Sequence, residues 1–600
     1  MTADVGRIWS FELSPDGARM LVAADGSGER QPWLLPLDRS PARMISVAGS
    51  VQRCVGHPDG SRFIAVVDPD GREDNQLALV DVVTGTAEPI AAAPGVRNEL
   101  GAPYTTASLP CSPDGRWLAF ATNRRDRGCF DIVVRDLVTG DERAVLTAGD
   151  GVPEDRYFPV TFSWDSRQLL AVRLHQNTEH DLYAADLRTG HVHLLTPHDG
   201  FAKYIGAAWR PEGIYLCATH LGNFTGVGLL DASGHMHWID TPERDIDCAA
   251  LSADGGTLAW GVNHDGFTAL RTCRIDAGAA GPTVPVTCLP PGRYTHEICL
   301  DGRSLALSAD GRTLFALDGQ ATLWAADLSD STARRLTARA QAQTTPVPDV
   351  VRFTSGDGIE VAALLYRPTG TGPFPVVLHI HGGPEDQAVP VSDPLIDGLL
   401  ARGIAVLATN IRGSCGYGLR HQRLIYRDWG GGDVEDLRAA AEFLRAQPWA
   451  DPDRLGVYGA SYGGFASLSC LTRLPEYWRA GVAECAVSDL VADLRSLPPT
   501  WRRRGRDWIG DLSDPDDVRR LVRASPITHA EGVCAPVLLI HGTNDTRVSI
   551  EAIDAFYARL TELGKDVAYQ RIDGAGHQIA EQYPGIEATT CDWLAAKLLP

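Results

Sequence analysis

Three residues far apart in the chain have the types and settings that acyl-transfer chemistry needs. Ser461 stands in Gly459-Ala460-Ser461-Tyr462-Gly463, Asp545 in HGTNDTRV (541–548) and His577 in GAGHQ (574–578). A serine hydroxyl attacks a carbonyl only when a base takes its proton and a carboxylate fixes that base. A fourth segment, HGGP (381–384), offers glycine N–H groups able to face a developing oxyanion. Taken singly, Asp545 reads equally well as a turn cap, His577 as a loop histidine and HGGP as a sharp bend. Only their joint presence argues for a site.

Those segments need a scaffold that delivers them to one place. The strands PVVLHI (375–380), GIAVLATN (403–410), RLGVYGA (454–460), AGVAECAV (480–487), VLLIHG (537–542) and VAYQRID (567–573) alternate with helical segments. In DVEDLRAAAEFLRAQ (433–447), Val434, Leu437, Ala441 and Leu444 keep the spacing of a buried helical stripe. Apolar strands alternating with helices predict a mostly parallel sheet covered on both faces. Such sheets build their sites at the carboxyl ends of strands, where all four segments fall. The strand-to-helix turn at Ser461 fits a nucleophile elbow, and Ser, Asp, His is the chain order of an α/β-hydrolase.

The first half has another texture. A turn of the form Ser-Pro-Asp-Gly followed by an apolar strand recurs as LSPDGARMLVAA, GHPDGSRFIAVV, CSPDGRWLAFAT, FSWDSRQLLAVR, WRPEGIYLCAT, LSADGGTLAWGV and LSADGRTLFAL. Its acidic positions are Asp16, Asp59, Asp114, Asp165, Glu212, Asp254 and Asp310. Proline presets φ, Asp favours the next position, and Gly supplies the positive φ of a tight turn. Four short strands per repeat of about 40–55 residues predict a β-propeller, here of seven blades. The last repeat carries its own four strands, so no strand exchange is expected to lock the ring. The expected fold is β plus α/β: a propeller over 1–340 and an α/β-hydrolase domain over 341–600.

HGGP, NIRGSCGYG (410–418), GASYGGF (459–465), HGTNDTRV and GAGH, behind seven blades, make the chain resemble the prolyl oligopeptidase family of serine peptidases. Within it the resemblance is to the acylaminoacyl-peptidase and dipeptidyl-peptidase-like branch. It implies Ser461 as nucleophile, His577 as general base and then acid, and Asp545 as the orienting carboxylate. It implies oxyanion donors in the N–H groups of Tyr462 and Gly383, since His381 stands where some relatives place a tyrosine. It makes Arg547 a holder of a substrate carbonyl, while Arg412 reads as a structural ion-pair residue. The dipeptidyl branch anchors the substrate amine on paired propeller glutamates, and no such pair is evident. Glu99, or Glu154 with Asp155, are the substitutes considered, and each reads equally as a solvated loop acid. The implied function is hydrolysis of short peptides or N-terminal (acyl)aminoacyl groups through an acyl-enzyme. The alternative is a non-proteolytic amide or ester hydrolase acting on peptide-like small molecules. The propeller is expected to cap the hydrolase face and exclude folded proteins.

Composition narrows the partners. Lys and Arg number 55 against 76 Asp and Glu, a net charge of −21, which repels a phosphate backbone. No apolar run approaches the about 20 residues of a membrane span, and the N-terminus lacks a signal-peptide pattern. Thirteen cysteines without a Cys-x-x-Cys pair read as reduced thiols of a cytoplasmic protein. His191, His193 and His198 lack a carboxylate or cysteine to complete a metal site. No cofactor or metal is expected, and the composition leaves a homo-oligomer open.

Overall fold

A computed structural model describes residues 5–38, 40–102, 109–149, 156–294, 304–337, 345–583 and 585–600. The chain divides into two compact units, Met1–Ala342 with Gly416–Leu419, and Gln343–Cys415 with Arg420–Pro600.

The first unit is a seven-bladed propeller. Its antiparallel sheets follow in chain order over 8–44, 50–91, 98–146, 157–194, 204–240, 246–285 and 305–335. The recurring turn shows why its sequence repeats. In five blades the serine hydroxyl donates to the acidic residue two positions on (Ser14–Asp16, Ser112–Asp114, Ser163–Asp165, Ser252–Asp254, Ser308–Asp310), at 2.5–2.7 Å. The same hydroxyl accepts the N–H five residues later, pinning the first residue of the next strand. In the second blade His57 takes the serine's place, with Nδ1 2.9 Å from Asp59. Among the described residues the first and last blades exchange no strand. Phe11, Met20 and Val22 instead pack with Phe315, Leu317 and Leu323 in one core.

The second unit is built on eight strands: β1 (Asp349–Thr354), β2 (Glu360–Tyr366), β3 (Phe374–Ile380), β4 (Ala405–Asn410), β5 (Ala450–Ala460), β6 (Ala480–Glu484), β7 (Val537–Gly542) and β8 (Val567–Ile572). Their order across the sheet is β1-β2-β4-β3-β5-β6-β7-β8. The first two pairings are antiparallel and the remaining five parallel, as the apolar strands alternating with helices require. Leu378, Leu407, Leu455, Val457 and Leu539 on the strands, with Leu437 and Leu468 on helices, are wholly buried in one core.

A buried arginine ties two parts of this unit together. The Arg412 guanidinium donates to both carboxylate oxygens of the wholly buried Asp436, at 3.0 and 2.6 Å, and to the half-exposed Asp357. Arg412 is thus a structural ion-pair residue. Removing one partner of a buried pair strands the other charge. Asp436→Ala is expected to cost about 3–5 kcal/mol in urea unfolding. Asp357→Ala is expected to cost under about 1 kcal/mol, because water already screens that pair.

Candidate active site

Ser461 follows β5 directly and precedes the helix α1 (Tyr462–Arg473). Its backbone is left-handed, φ 58 and ψ −120, a conformation that few non-glycine residues adopt and that lifts a side chain out of a strand-to-helix turn. Its N–H donates to the Glu484 carbonyl at the end of β6, and its own carbonyl accepts from Phe465. A glycine is needed at 463, where a Cβ would lie 2.1 Å from the Ile380 carbonyl oxygen. That close approach seats the first turn of α1 against the end of β3.

Asp545 and His577 are brought together by their loops. A Cβ at Gly542 would meet the Ala575 carbonyl oxygen at 2.4 Å, so only glycine lets the loop after β8 lie against the end of β7. Asn544 N–H donates to Ala575, its side chain donates to Gly574, and Gly574 N–H donates to the Thr543 hydroxyl. With the loops laced, His577 Nδ1 lies 2.7 Å from Asp545 Oδ2. Asp545 Oδ1 accepts the N–H groups of Arg547 and Val548 at 2.8 and 3.0 Å. Burial opposes charge on this wholly covered side chain. His577 beside it, their hydrogen bond, His541 and the Arg547 N–H outweigh burial and hold the carboxyl well below the usual carboxylate range. Asp545 is therefore an ionised acceptor for the His577 ring, whose Nδ1–H form its charge favours.

Two backbone segments border the serine. Tyr462 is the first residue of α1, so its N–H has no acceptor within the helix. The Tyr462 ring is fixed by an edge-on contact with Trp429 and by a 2.7 Å hydrogen bond from its hydroxyl to Asp433. Burial raises the Asp433 carboxyl to about 6. Gly383 adopts φ 105 after β3, and a Cβ on neighbouring Gly382 would be 3.7 Å from the Ser461 Cβ, so the HGGP loop runs alongside the serine. His381 is held by Gly382 and the Ser414 hydroxyl, and burial lowers its imidazole to about 4, keeping it neutral.

Arg547 lies two residues beyond Asp545, its guanidinium carbon 5.8 Å from the Trp501 ring centre. Trp508 is 4% exposed and stacks edge-on against Trp429, so of the two tryptophans it belongs to the core. In the first unit Glu99 is held with Glu73 on Arg97, while Glu154 and Asp155 lie outside the described residues. His191 and His193 stack on an exposed blade edge, with ring centres 5.9 Å apart.

Sequence reasoning passed over two residues here. Cys485 follows β6, and Asp493 lies on the helix α2 (Leu490–Ser496), where its Oδ1 accepts the Ser549 N–H at 2.8 Å. Together Asp545 and Asp493 capture the three successive amides 547–549. A cysteine directly after an apolar strand and an acid on an otherwise apolar helix face were the available signals.

Residues 396–599 match the prolyl oligopeptidase family model. The dipeptidyl aminopeptidase BIII of Pseudoxanthomonas mexicana is 24% identical over 98% of this chain and 86% of its own length. The human acylamino-acid-releasing enzyme is 30% identical over 37% of this chain, and the alignment spans 32% of that protein. Other curated relatives are likewise matched over only 36% and 30% of their length. A puromycin-hydrolyzing peptidase of Mycobacterium tuberculosis shares the fold, with a TM-score of 0.80 at 20% identity over 99% of this chain and 95% of that one. Over residues 396–599 the chain is thus similar to the prolyl oligopeptidase family, and over nearly its whole length to a dipeptidyl aminopeptidase. No helix among the described residues is long and apolar enough to cross a membrane.

Asp493 supplies a pH prediction. Burial raises its carboxyl to about 8, more than the Ser549 N–H lowers it, with Asp489 and Asp545 adding repulsion. Between its ordinary 3.8 and about 8 the folded state holds a proton that the unfolded chain has released, so this group's contribution to stability falls as pH rises. Asp493→Asn keeps an acceptor for Ser549 and removes that loss. Urea unfolding at pH 5 and pH 8.5 is expected to show the variant losing about 1 kcal/mol or more less than wild type across the interval.

Proposed function

We propose that the protein hydrolyses amide bonds of short peptides or N-terminal (acyl)aminoacyl groups, with Ser461, His577 and Asp545 as its triad. The observation that carries this is the 2.7 Å contact of His577 Nδ1 with an ionised, buried Asp545, in a sheet whose β5 ends at a left-handed serine opening a helix. His577 Nε2 takes the Ser461 proton as the hydroxyl attacks the carbonyl. The tetrahedral oxyanion is met by the N–H groups of Tyr462 and Gly383. His577 then protonates the leaving amine, and water releases the acyl group by the reverse path. Arg547, steadied by the amide capture at 545–549, holds a substrate carbonyl next to the scissile residue.

The acyl and aminoacyl preference draws support from the names of the two curated relatives, one a dipeptidyl aminopeptidase and one an acylamino-acid-releasing enzyme. A free-amine anchor in the propeller draws none from Glu99, whose carboxylate is already shared with Arg97. A second reading, hydrolysis of peptide-like small molecules, is favoured by the likeness over nearly the whole chain to a peptidase named for puromycin. A cytoplasmic address is supported by the twelve described cysteines, none of which is bridged.

A fluorophosphonate probe is expected to label wild type and to leave Ser461→Ala unlabelled; labelling that survives the substitution contradicts the assignment. Chromogenic N-acyl-aminoacyl, aminoacyl, dipeptidyl and simple ester substrates then separate the readings. Turnover of amides supports the peptidase, and turnover of esters alone supports the second reading.

A further inference from the structure

Among the described residues, one set of histidine, cysteine and carboxylate side chains brings its ligand atoms together. These are Cys485, Asp545 and His577, with one atom from each lying within 4.8 Å of the others. Two of the three carry the proposed proton relay. The third has no part in it, yet its placement is specific. Cys485 follows β6 with φ 43, a left-handed conformation that residues other than glycine seldom adopt. Its N–H donates to the Ile540 carbonyl on β7, and its thiol lies 3.6 Å from the His577 carbonyl oxygen. The residue is 1% exposed. Its backbone bend aims a sulfur atom at the Asp545–His577 hydrogen bond from the strand end beside it.

We propose that Cys485, Asp545 and His577 form an inhibitory site for a thiophilic divalent cation, zinc or cadmium; its effect on activity rests on the triad reading above. One sulfur, one imidazole nitrogen and one carboxylate oxygen are a borderline-soft donor set that suits zinc and disfavours magnesium or calcium. Three protein ligands leave the fourth tetrahedral position to water. Zinc bonds of about 2.0–2.3 Å set such ligand atoms about 3.3–3.8 Å apart. The 2.7 Å pair of Nδ1 and Oδ2 must open by about 1 Å or less, and the sulfur must close by up to about 1.5 Å, to reach that geometry.

The protons balance simply. The Cys485 thiol releases its proton to solvent as the sulfur bonds the metal. The metal displaces the Nδ1 proton of His577 to solvent, Nε2 takes up one proton from solvent so that the imidazole stays neutral, and Asp545 remains a carboxylate. One proton leaves for each cation bound. An imidazole metallated on Nδ1 and protonated on Nε2 cannot accept the Ser461 proton, so the nucleophile is silenced without anything occupying the substrate's place. Exposed Cys534 is a competing thiol, and both proteins tested should carry Cys534→Ser.

Cadmium titration of the full chain bearing Ser461→Ala, followed by ultraviolet sulfur-to-cadmium charge transfer, reads the site without turnover. A saturable band is expected, and it should vanish when Cys485→Ser is added. In catalytically intact protein, zinc should block fluorophosphonate labelling while magnesium does not. Cys485→Ser should label normally without zinc and need more than the about 10–100-fold increase that loss of a mere supporting contact brings. Equal zinc sensitivity in Cys485→Ser, or a charge-transfer band indifferent to it, overturns the site. A band with unimpaired labelling overturns the inhibition. Absence of labelling in the parent protein would instead count against the triad reading, and the cadmium band would still decide the site.

Discussion

A carboxylate removed from water stays charged only if donors meet it, and Asp545 is met on both oxygens. The Arg547 and Val548 amides take one oxygen and the His577 ring takes the other. That arrangement fixes three things at once: the turn after β7, the tautomer and aim of the imidazole, and the start of the segment bearing Arg547. The loops after β7 and β8 are laced by the contacts of Thr543 and Asn544, with Gly542 allowing the approach. A residue with a side chain at Gly542 would separate the acid from the base before any substrate arrived.

The parallel part of the sheet explains how one edge collects so many groups. β3, β5, β6, β7 and β8 end in turn at Gly383, Ser461, Cys485, Asp545 and His577. Side chains at successive carboxyl ends share one rim, where the backbone is no longer committed to the ladder. The tight bends there are local compromises, with left-handed φ at Ser461 and Cys485, both tied by N–H donation to a neighbouring strand end. The propeller follows a different logic. In five blades its Ser-x-Asp turn pins the start of the following strand through contiguous residues of the same repeat.

These two logics decide what could be read in advance. The Ser-Pro-Asp-Gly phrase carries its turn chemistry in contiguous residues, and seven recurrences give seven sheets. Ser461, Asp545 and His577 stand out in the sequence as candidates because each follows a strand whose apolar run is unmistakable, and because their order matches that of the hydrolase fold. Arg412 was legible as structural, and Asp436 was not named as its partner because that pairing spans 24 residues and two elements. Cys485 and Asp493 were missed for a similar reason. Their environment depends on which face of α2 and which side of the bend after β6 turn inward, and a single cysteine or aspartate in sequence says neither. Trp501 and Trp508 could not be told apart until one was seen buried against Trp429 and the other near Arg547.

The central claim is that Asp545 makes His577 a base of the correct tautomer for Ser461. Its most direct test is the steady-state rate of Asp545→Asn on an amide substrate that wild type turns over. Asparagine preserves the size and can still accept the Arg547 and Val548 amides, but it presents the imidazole with a neutral partner that favours the wrong tautomer. A fall in kcat of about 10⁴-fold is expected, with the circular dichroism spectrum unaltered. A variant that folds and turns over at the wild-type rate would contradict the account.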